Sequence, residues 1–195
     1  DSDNFLLDRK SLHQFSELLK AAKIKIDFNC LSRVDAIDEE KVKCLKKAGC
    51  RSVSFGIESG SEKIRKAMKK GIREEQIVKA VALVRKAGIK TTGYFILGFP
   101  GETEETMQET VNLIKRMKFY DINVFLFTPL PGSEIYEEVN KYGKFDENWE
   151  RMNSYEVVYK PNNLSEETMK KYADKCFAAC YLRPHQIFSL HKRIA

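Results

Sequence analysis

Short polar, glycine-rich segments follow four apolar runs in this 195-residue sequence. They are Asn29-Cys-Leu-Ser-Arg33, Gly56-Ile-Glu-Ser-Gly60, Gly98-Phe-Pro-Gly-Glu-Thr103 and Thr128-Pro-Leu-Pro-Gly132. Glycine lets backbone amides approach a ligand, and helices that begin after Gly60 and Gly101 offer the positive ends of their dipoles. If the four runs are neighbouring parallel strands, these segments predict one shared pocket at the carboxyl edge of the sheet.

Each of these features also has a purely structural interpretation. Gly98-Phe-Pro-Gly101 is a possible turn, and Glu58 is a possible cap of the next helix. Arg33 can pair with Asp35, and Ser59 is an ordinary residue for a helix N-terminus. The sequence contains neither Gly-x-x-x-x-Gly-Lys-Ser/Thr nor Gly-x-Gly-x-x-Gly, so it gives no support to a P-loop or a dinucleotide-binding fold.

Helices and strands alternate along the first two thirds of the chain. Two predicted helices stop at Lys47-Ala48-Gly49 and Lys86-Ala87-Gly88, where glycine suits the left-handed residue and lysine suits the last turn. The predicted order is α-β-α-β-α-α-β-α-β, with strands at 24–28, 53–57, 91–97 and 122–127. This alternation predicts an α/β fold with parallel strands joined by right-handed crossovers.

The pattern changes after Thr128. We predict a short helix over 134–142, a polar and aromatic loop over 143–163, and a final helix from Ser165 to about residue 182. We interpret residues 143–195 as an extension packed on a domain formed by residues 1–142. Trp149, Tyr155 and Tyr159 are expected to pack against that domain rather than line a substrate surface.

Composition excludes several classes of protein. The net charge is +6, with 43% hydrophobic and 32% charged residues, which is typical of a globular domain. No apolar run approaches the ~18 residues that a membrane span needs. Five cysteines without regular spacing indicate reduced thiols, so we expect a cytoplasmic protein that does not bind membranes. The first residue is Asp1 rather than Met, and we expect a piece of a longer protein.

Taken together and in order, several strings resemble the radical S-adenosylmethionine (SAM) superfamily. They are Arg33-Val-Asp35, Ala48-Gly-Cys50, Phe55-Gly-Ile-Glu-Ser-Gly60, Lys70-Gly71, Gly93-Tyr-Phe-Ile-Leu-Gly-Phe-Pro-Gly-Glu-Thr103 and Thr128-Pro-Leu-Pro-Gly-Ser133. The resemblance is to the class B, often cobalamin-dependent branch, which includes methyltransferases and anaerobic porphyrin cyclases. It implies a partial (β/α)6 TIM-like barrel that retains strands 3 to 6, with a C-terminal helical extension.

The same resemblance implies a SAM pocket. Its residues would be Asp1, Asp3, Arg33, Glu58, Ser59, Gly93, Ile96, Gly98, Glu102, Thr128 and Pro129. By analogy, the aspartates lie near the SAM ammonium, Arg33 near the carboxylate, and Glu58 with Ser59 near the ribose and methionyl part. The fifth-strand motif from Gly93 to Glu102 would hold the adenine through its backbone, and the loop after Thr128 would line the same pocket. An acid, an arginine and a Glu–Ser pair suit these groups chemically.

One family feature is missing from this sequence. The family holds a [4Fe–4S] cluster with Cys-x-x-x-Cys-x-x-Cys, and no such triplet occurs here. Cys176 and Cys180 have the first spacing, but Arg183 stands in the third place, and we interpret them as packing residues of a helix. We therefore expect the cluster, and cobalamin where it is used, only in a longer parent protein. This chain alone is expected to be inactive and to carry no metal site.

Three functions remain open. The first is part of a radical SAM enzyme that cleaves SAM reductively or transfers methyl groups to a small-molecule substrate. The second is an RNA-modifying, methylthiotransferase-like member, although the lysines of the tail are interleaved with acids and nucleic-acid binding is not expected. The third is a degenerate barrel used as a binding module. Lost strands would leave a sheet edge, so we expect self-association there, or an N-terminal segment covering it.

Overall fold

The computed structural model describes residues 8–183, in which helices and strands alternate. The helices are Arg9–Ala21 (α1), Glu39–Ala48 (α2), Glu62–Ala67 (α3), Glu74–Lys86 (α4), Glu104–Met117 (α5) and Glu166–Tyr181 (α6). The strands are Phe28–Ser32 (β1), Cys50–Glu58 (β2), Lys90–Leu97 (β3), Asp121–Leu126 (β4), Gly143–Phe145 (β5) and Tyr159–Pro161 (β6). Short 3-10 helices cover Val34–Ala36, Tyr136–Lys141 and Trp149–Arg151. In this part of the chain no helix is both long and apolar enough to cross a membrane.

The main sheet is parallel and has four strands in the order β1-β2-β3-β4, which confirms the predicted α/β fold. Strands β5 and β6 form a separate antiparallel pair. From Val53 onward the side chains of β2 alternate: Val53, Phe55 and Ile57 are fully buried, whereas Glu58 lies on the other face and is partly exposed. One face of this part of the strand therefore packs into the core, and the last residue, Glu58, stands on the opposite face.

The described residues form two compact units. The first comprises residues 8–57, 72–94 and 119–122, and the second comprises residues 58–71, 95–118 and 123–183. In the second unit, α6 packs along α5. The predicted domain boundary between residues 142 and 143 stays a prediction.

The prediction for the first strand was wrong by four residues. Pairing with β2 covers Phe28–Ser32, not 24–28, so residues 29–32 belong to the strand itself. The segment before it lies over Gly49, whose φ is 95°, and a Cβ at Gly49 would stand 2.0 Å from the carbonyl oxygen of Ile26. Apolar alternation in this segment was therefore mistaken for sheet pairing, because it instead packs on a helix terminus.

The segment after β4 is more ordered than predicted. The expected loop over 143–163 contains β5 and β6, and the helix predicted over 134–142 is a 3-10 helix. Tyr159 is buried, as expected, with its ring 5.4 Å from that of Phe127. Tyr155 contacts Phe125 but remains 68% exposed, and Trp149 is 65% exposed, contrary to the expectation of packing.

The two end strands of the main sheet differ in what borders them. On β4, the Leu126 N–H donates to the Ser154 carbonyl (2.8 Å), so a chain segment bonds to that strand. β1 pairs with β2 and lies at the other end of the sheet. Self-association through β1 stays a prediction, since an unpaired parallel edge recruits further strands.

We expect Leu31→Lys, on β1, to shift the chain toward monomer, because a lysine on an edge strand opposes pairing. Sedimentation velocity over a range of protein concentrations measures this effect. Leu130→Lys, at an exposed loop position, is the control and should leave the association unchanged. A wild-type chain that is monomeric at every concentration would contradict the prediction.

Candidate functional site

Glu58 ends β2 in an unusual backbone conformation. Its φ is 70°, in the left-handed region that residues with a side chain rarely adopt. Such a conformation costs about 1–3 kcal/mol and is concentrated at functional sites. The turn that follows Glu58 is hydrogen-bonded to α5 and to α3, and these bonds hold the backbone in this conformation.

The turn after Glu58 is built on α5. The Gly60 N–H donates to the Thr110 hydroxyl (2.8 Å), and the Ser59 hydroxyl lies 3.3 Å from the same oxygen. The Ser61 N–H donates to the Ser59 hydroxyl (3.1 Å), and the buried Arg65 donates to the Ser59 carbonyl (2.8 Å). Ser59 is fully buried, so its side chain serves this turn.

Lys70 is the partner of Glu58. Its Nζ lies 2.6 Å from Glu58 Oε1, and the side chains are 23% and 18% exposed respectively. The preceding residue, Lys69, pairs with Glu134, but both of those side chains are largely in solvent. Because burial reduces screening, the Glu58–Lys70 pair is the stronger electrostatic feature of the two.

A cavity of about 450 Å³ adjoins this ion pair, and it lies within the second unit. Its lining includes Glu58, Lys70, Ile96, Phe99 and Phe127, and the exposed Lys69, Glu134 and Glu138 also stand on its wall. The rings of Phe99 and Phe127 meet edge to face, with centroids 5.0 Å apart. The cavity thus combines an apolar aromatic wall with the partly buried Glu58–Lys70 pair, which suits a ligand with a flat apolar part and a polar, charged end.

The turn after β3 forms another wall of this cavity. Gly98 and Gly101 both have φ of 84°, which glycine adopts without strain. The Gly98 N–H donates to Glu102 Oε2 (2.5 Å), and the Phe99 amide also hydrogen-bonds this carboxyl. Burial raises the pKa of Glu102 to about 7, against the lowering effect of those two hydrogen bonds. Glu102 is fully buried and supports the turn from behind.

Among the remaining predicted site residues, Thr128 and Arg33 have hydrogen-bond partners close to them in the sequence. The Thr128 hydroxyl donates to the Leu126 carbonyl (3.3 Å), and Pro129 is buried. In the first unit, Arg33 is bidentate to Asp35 (2.9 and 2.7 Å), and this pair raises the arginine pKa. Gly93 is buried in β3.

Of the predicted set, Glu58 and Ile96 line the cavity, Gly98 and Glu102 shape its wall, and Asp1 and Asp3 lie outside the described residues. The assignment of the set to one ligand stays a prediction.

Lys70, Phe99 and Phe127 are among the cavity residues that sequence reasoning missed. Lys70 belongs to a string that carried the resemblance, but no role was assigned to it. Its place twelve residues after Glu58 gives no sign of contact, because α3 intervenes. The two phenylalanines follow β3 and β4 at positions where an apolar residue is indistinguishable from core.

The residues present do not fit an iron–sulfur cluster. Within residues 8–183 no three histidine, cysteine or acidic side chains are grouped to hold a metal ion. Cys176 and Cys180 are buried on α6, and Cys44 is half-buried on α2. The Sγ atoms of Cys30 and Cys50 lie 3.9 Å apart, which makes a pair and not a triplet.

A family model and several curated proteins match this chain in sequence. The model of the Radical SAM superfamily matches residues 3–114. An uncharacterized methyltransferase of Pyrococcus horikoshii is 32% identical over 93% of this chain and 40% of its own length. A putative methylthiotransferase of Methanocaldococcus jannaschii is 35% identical over 81% of this chain and 36% of its own. The chain therefore spans about 40% of the length of the curated relatives it matches.

The fold has matches among solved structures. The radical SAM methyltransferase TsrM from Kitasatospora setae, solved with tryptophan and a SAM analogue, aligns with a TM-score of 0.67 at 19% identity. The alignment covers 87% of this chain and 40% of that protein. The same enzyme was also solved with cobalamin and a [4Fe–4S] cluster. The family model and the curated relatives confirm the resemblance stated from the sequence, and the solved structures confirm the α/β fold with its parallel sheet.

Proposed function

Because this chain belongs to the radical SAM superfamily, we propose that the cavity beside Glu58 and Lys70 binds the adenosyl and methionyl parts of SAM. The observation that carries the proposal is the partly buried Glu58–Lys70 pair at the end of β2, set beside an aromatic wall. A nucleoside joined to an amino acid has a complementary distribution of groups: a flat apolar base, hydroxyls and opposite charges.

The apolar wall suits the adenine. Ile96 lies within the motif from Gly93 to Glu102 that the resemblance connects with the base, and Phe99 and Phe127 also line the cavity. Aromatic side chains bind a flat base by stacking or edge contacts, each worth about 1–3 kcal/mol by analogy with bases bound in other proteins. The volume of about 450 Å³ is within the usual range for small-molecule sites.

The ion pair suits the polar end of the ligand. Glu58 can accept hydrogen bonds from ribose hydroxyls, and Lys70 can take the SAM carboxylate. The two side chains bond each other at 2.6 Å, so the ligand must divide this pair. Each charge then exchanges one partner for another and is not left unpaired, which keeps the cost of binding small.

We further propose that the whole protein is a radical SAM enzyme that transfers methyl groups to a small molecule, in line with the name of the Pyrococcus relative. In such an enzyme an iron–sulfur cluster would supply the electron for reductive cleavage of SAM, and the described residues of this chain do not hold one. The chain carries no cluster triplet, so we propose that it binds SAM alone without cleaving it. The need for cobalamin stays a prediction.

Methylthio transfer is the second candidate, because the Methanocaldococcus relative is named a putative methylthiotransferase. We propose RNA as the acceptor in this case, as the resemblance stated from the sequence implies. Binding to a structured RNA, with an affinity that falls steeply with salt, would favour it over transfer to a small molecule. Absence of such binding in the full-length protein would favour the small-molecule substrate.

The SAM site is tested by calorimetric titration of the chain with SAM and with S-adenosylhomocysteine. We expect Glu58→Gln and Lys70→Met each to weaken SAM binding by roughly 10- to 100-fold, since each removes a charge-assisted hydrogen bond worth about 1.5–3 kcal/mol. Lys66→Met is the matched control, because Lys66 pairs with Glu62 in solvent and is not among the residues that line the cavity, and it should change affinity by about twofold or less.

Thermal unfolding of each variant separates loss of binding from loss of fold. A wild-type chain that binds neither ligand, or a Lys66→Met variant affected as strongly as Lys70→Met, would overturn the proposal.

A further inference from the structure

The wall of the cavity at residues 98–101 is held by a side chain that does not line the cavity. Glu102 Oε2 accepts the Gly98 N–H at 2.5 Å, and the Phe99 amide bonds the same carboxyl. The Phe99 side chain lines the cavity, whereas Glu102 is fully buried behind it. The carboxyl of Glu102 therefore sets where Phe99 stands without touching what the cavity holds.

The other oxygen of Glu102 is in an unusual state. Among the described residues, Oε1 is buried and has no hydrogen-bond partner. An ionised carboxylate with one unpaired oxygen in an apolar setting is costly, so the neutral acid is favoured. Burial raises the pKa of Glu102 to about 7, which brings its ionisation into the neutral range.

Helix α6 provides the apolar cover. A Cβ on Gly98 would lie 2.7 Å from Met169 Sδ, so this methionine packs directly against the turn. Cys176, on the same helix, faces Glu102: burial first, and then the charge of Glu102, raise the pKa of its thiol to about 12. Asn163, before the helix, donates to the Glu102 carbonyl (3.4 Å). α6 begins at residue 166, outside the residues 3–114 that the family model matches.

We propose that Glu102 is a positioning residue for the cavity wall, and that α6, by covering its free oxygen, sets the pH above which that wall loses its shape. When Glu102 releases its proton, the charge on the buried Oε1 has no donor among the described residues. The bonds from the Gly98 and Phe99 amides favour the carboxylate but do not compensate for its burial, as the raised pKa shows, so the turn opens to bring water or a donor to Oε1 and Phe99 moves. Affinity for SAM then falls as the pH rises through neutrality. This last consequence rests on the proposed function, whereas the effect on the wall does not.

The ligand-free chain tests the positioning role directly. We expect the amide ¹⁵N and ¹H shifts of Gly98 and Phe99 to show one transition near pH 7. In Glu102→Gln the transition should be absent, because the amide keeps an oxygen for the Gly98 N–H and does not ionise. Shifts that are flat from pH 5 to 9 in the wild type, or that move equally in the variant, would overturn the proposal.

A second pair of variants tests the part played by α6. Cys176→Ser puts a hydroxyl donor near Glu102, which stabilises the carboxylate, so the transition should move down by about one pH unit. Cys180→Ser is the matched control, since Cys180 is as fully buried on the same helix, and should leave the midpoint in place. Equal shifts in both variants would show that α6 has no specific role.

A third experiment measures SAM affinity as a function of pH. The wild type should bind about tenfold more weakly at pH 8.5 than at pH 6, beyond any change in Glu102→Gln, which corrects for the titration of SAM itself. If no variant binds SAM at any pH, the proposed function fails, but the amide shifts still decide the positioning role. If SAM binds with the same pH profile in both proteins, the positioning role fails alone.

Discussion

Gly60→Ala is expected to destabilise the chain by about 3 kcal/mol or more. A Cβ at this position would lie 2.4 Å from the Thr110 Cα and 2.5 Å from the Glu109 carbonyl oxygen, so the methyl group meets backbone atoms of α5. Backbone cannot move aside as a flexible side chain can. The turn would have to leave α5 and lose the bond from the Gly60 N–H to Thr110.

Urea unfolding followed by circular dichroism measures this effect, with Gly71→Ala as the control. Gly71 has a φ of 62°, but no atom lies within 4 Å of where its Cβ would stand. Its substitution should therefore cost only the backbone strain, about 1 kcal/mol. Equal losses in the two variants would show that the turn after Glu58 is not packed on α5.

We expect the free energy of unfolding of the wild type to fall between about pH 4.5 and 7, and we expect Glu102→Gln to abolish most of this fall. The unfolded chain releases the Glu102 proton at the ordinary pKa of 4.5, whereas burial raises the folded-state pKa to about 7. Between these values the folded state binds the extra proton, so stability falls as pH rises and levels off above 7. At about 1.4 kcal/mol for each pH unit, the loss reaches roughly 3 kcal/mol.

The measurement is the free energy of unfolding from pH 4.5 to 8.5 in the two proteins, taken as a difference so that other titrations cancel. Glu105→Gln is the control, since this neighbouring carboxyl is exposed and hydrogen bonding from Thr103 lowers its pKa. Glu105→Gln should leave the fall of the unfolding free energy with pH as it is in the wild type. A wild type that gains stability relative to Glu102→Gln as pH rises would contradict the sign of the prediction.

Alternation of apolar residues and the capping signals of the helices were sufficient to predict the architecture. Gly49 and the lysines before it end α2 as expected, and the left-handed φ of 95° shows why glycine is needed there. The parallel direction of the four strands followed from the alternation of helix and strand. The prediction of the first strand was wrong, because the same period-two pattern occurs in a segment that packs on Gly49 and does not pair with β2.

The candidate site was predictable only in part. Glu58 was found because it stands at the end of a strand, where parallel sheets bring ligand-binding residues together, whereas Ile96 was assigned only by the resemblance. Lys70 was missed because its contact with Glu58 depends on how α3 returns the chain, which spacing does not reveal. Glu102 belonged to the predicted set, but its burial behind the turn depends on α6, some 64 residues further along the chain.

The most direct measurement of the SAM site is photolabelling with an 8-azidoadenosyl analogue of SAM, followed by trypsin digestion and mass spectrometry. Ile96 and Phe99 lie on the tryptic peptide 91–115, and Phe127 lies on the peptide 119–141. We predict label on one or both of these peptides, lost when unlabelled SAM competes. Label confined to other peptides, such as 26–33, or label that SAM does not displace, would contradict the assignment of this cavity.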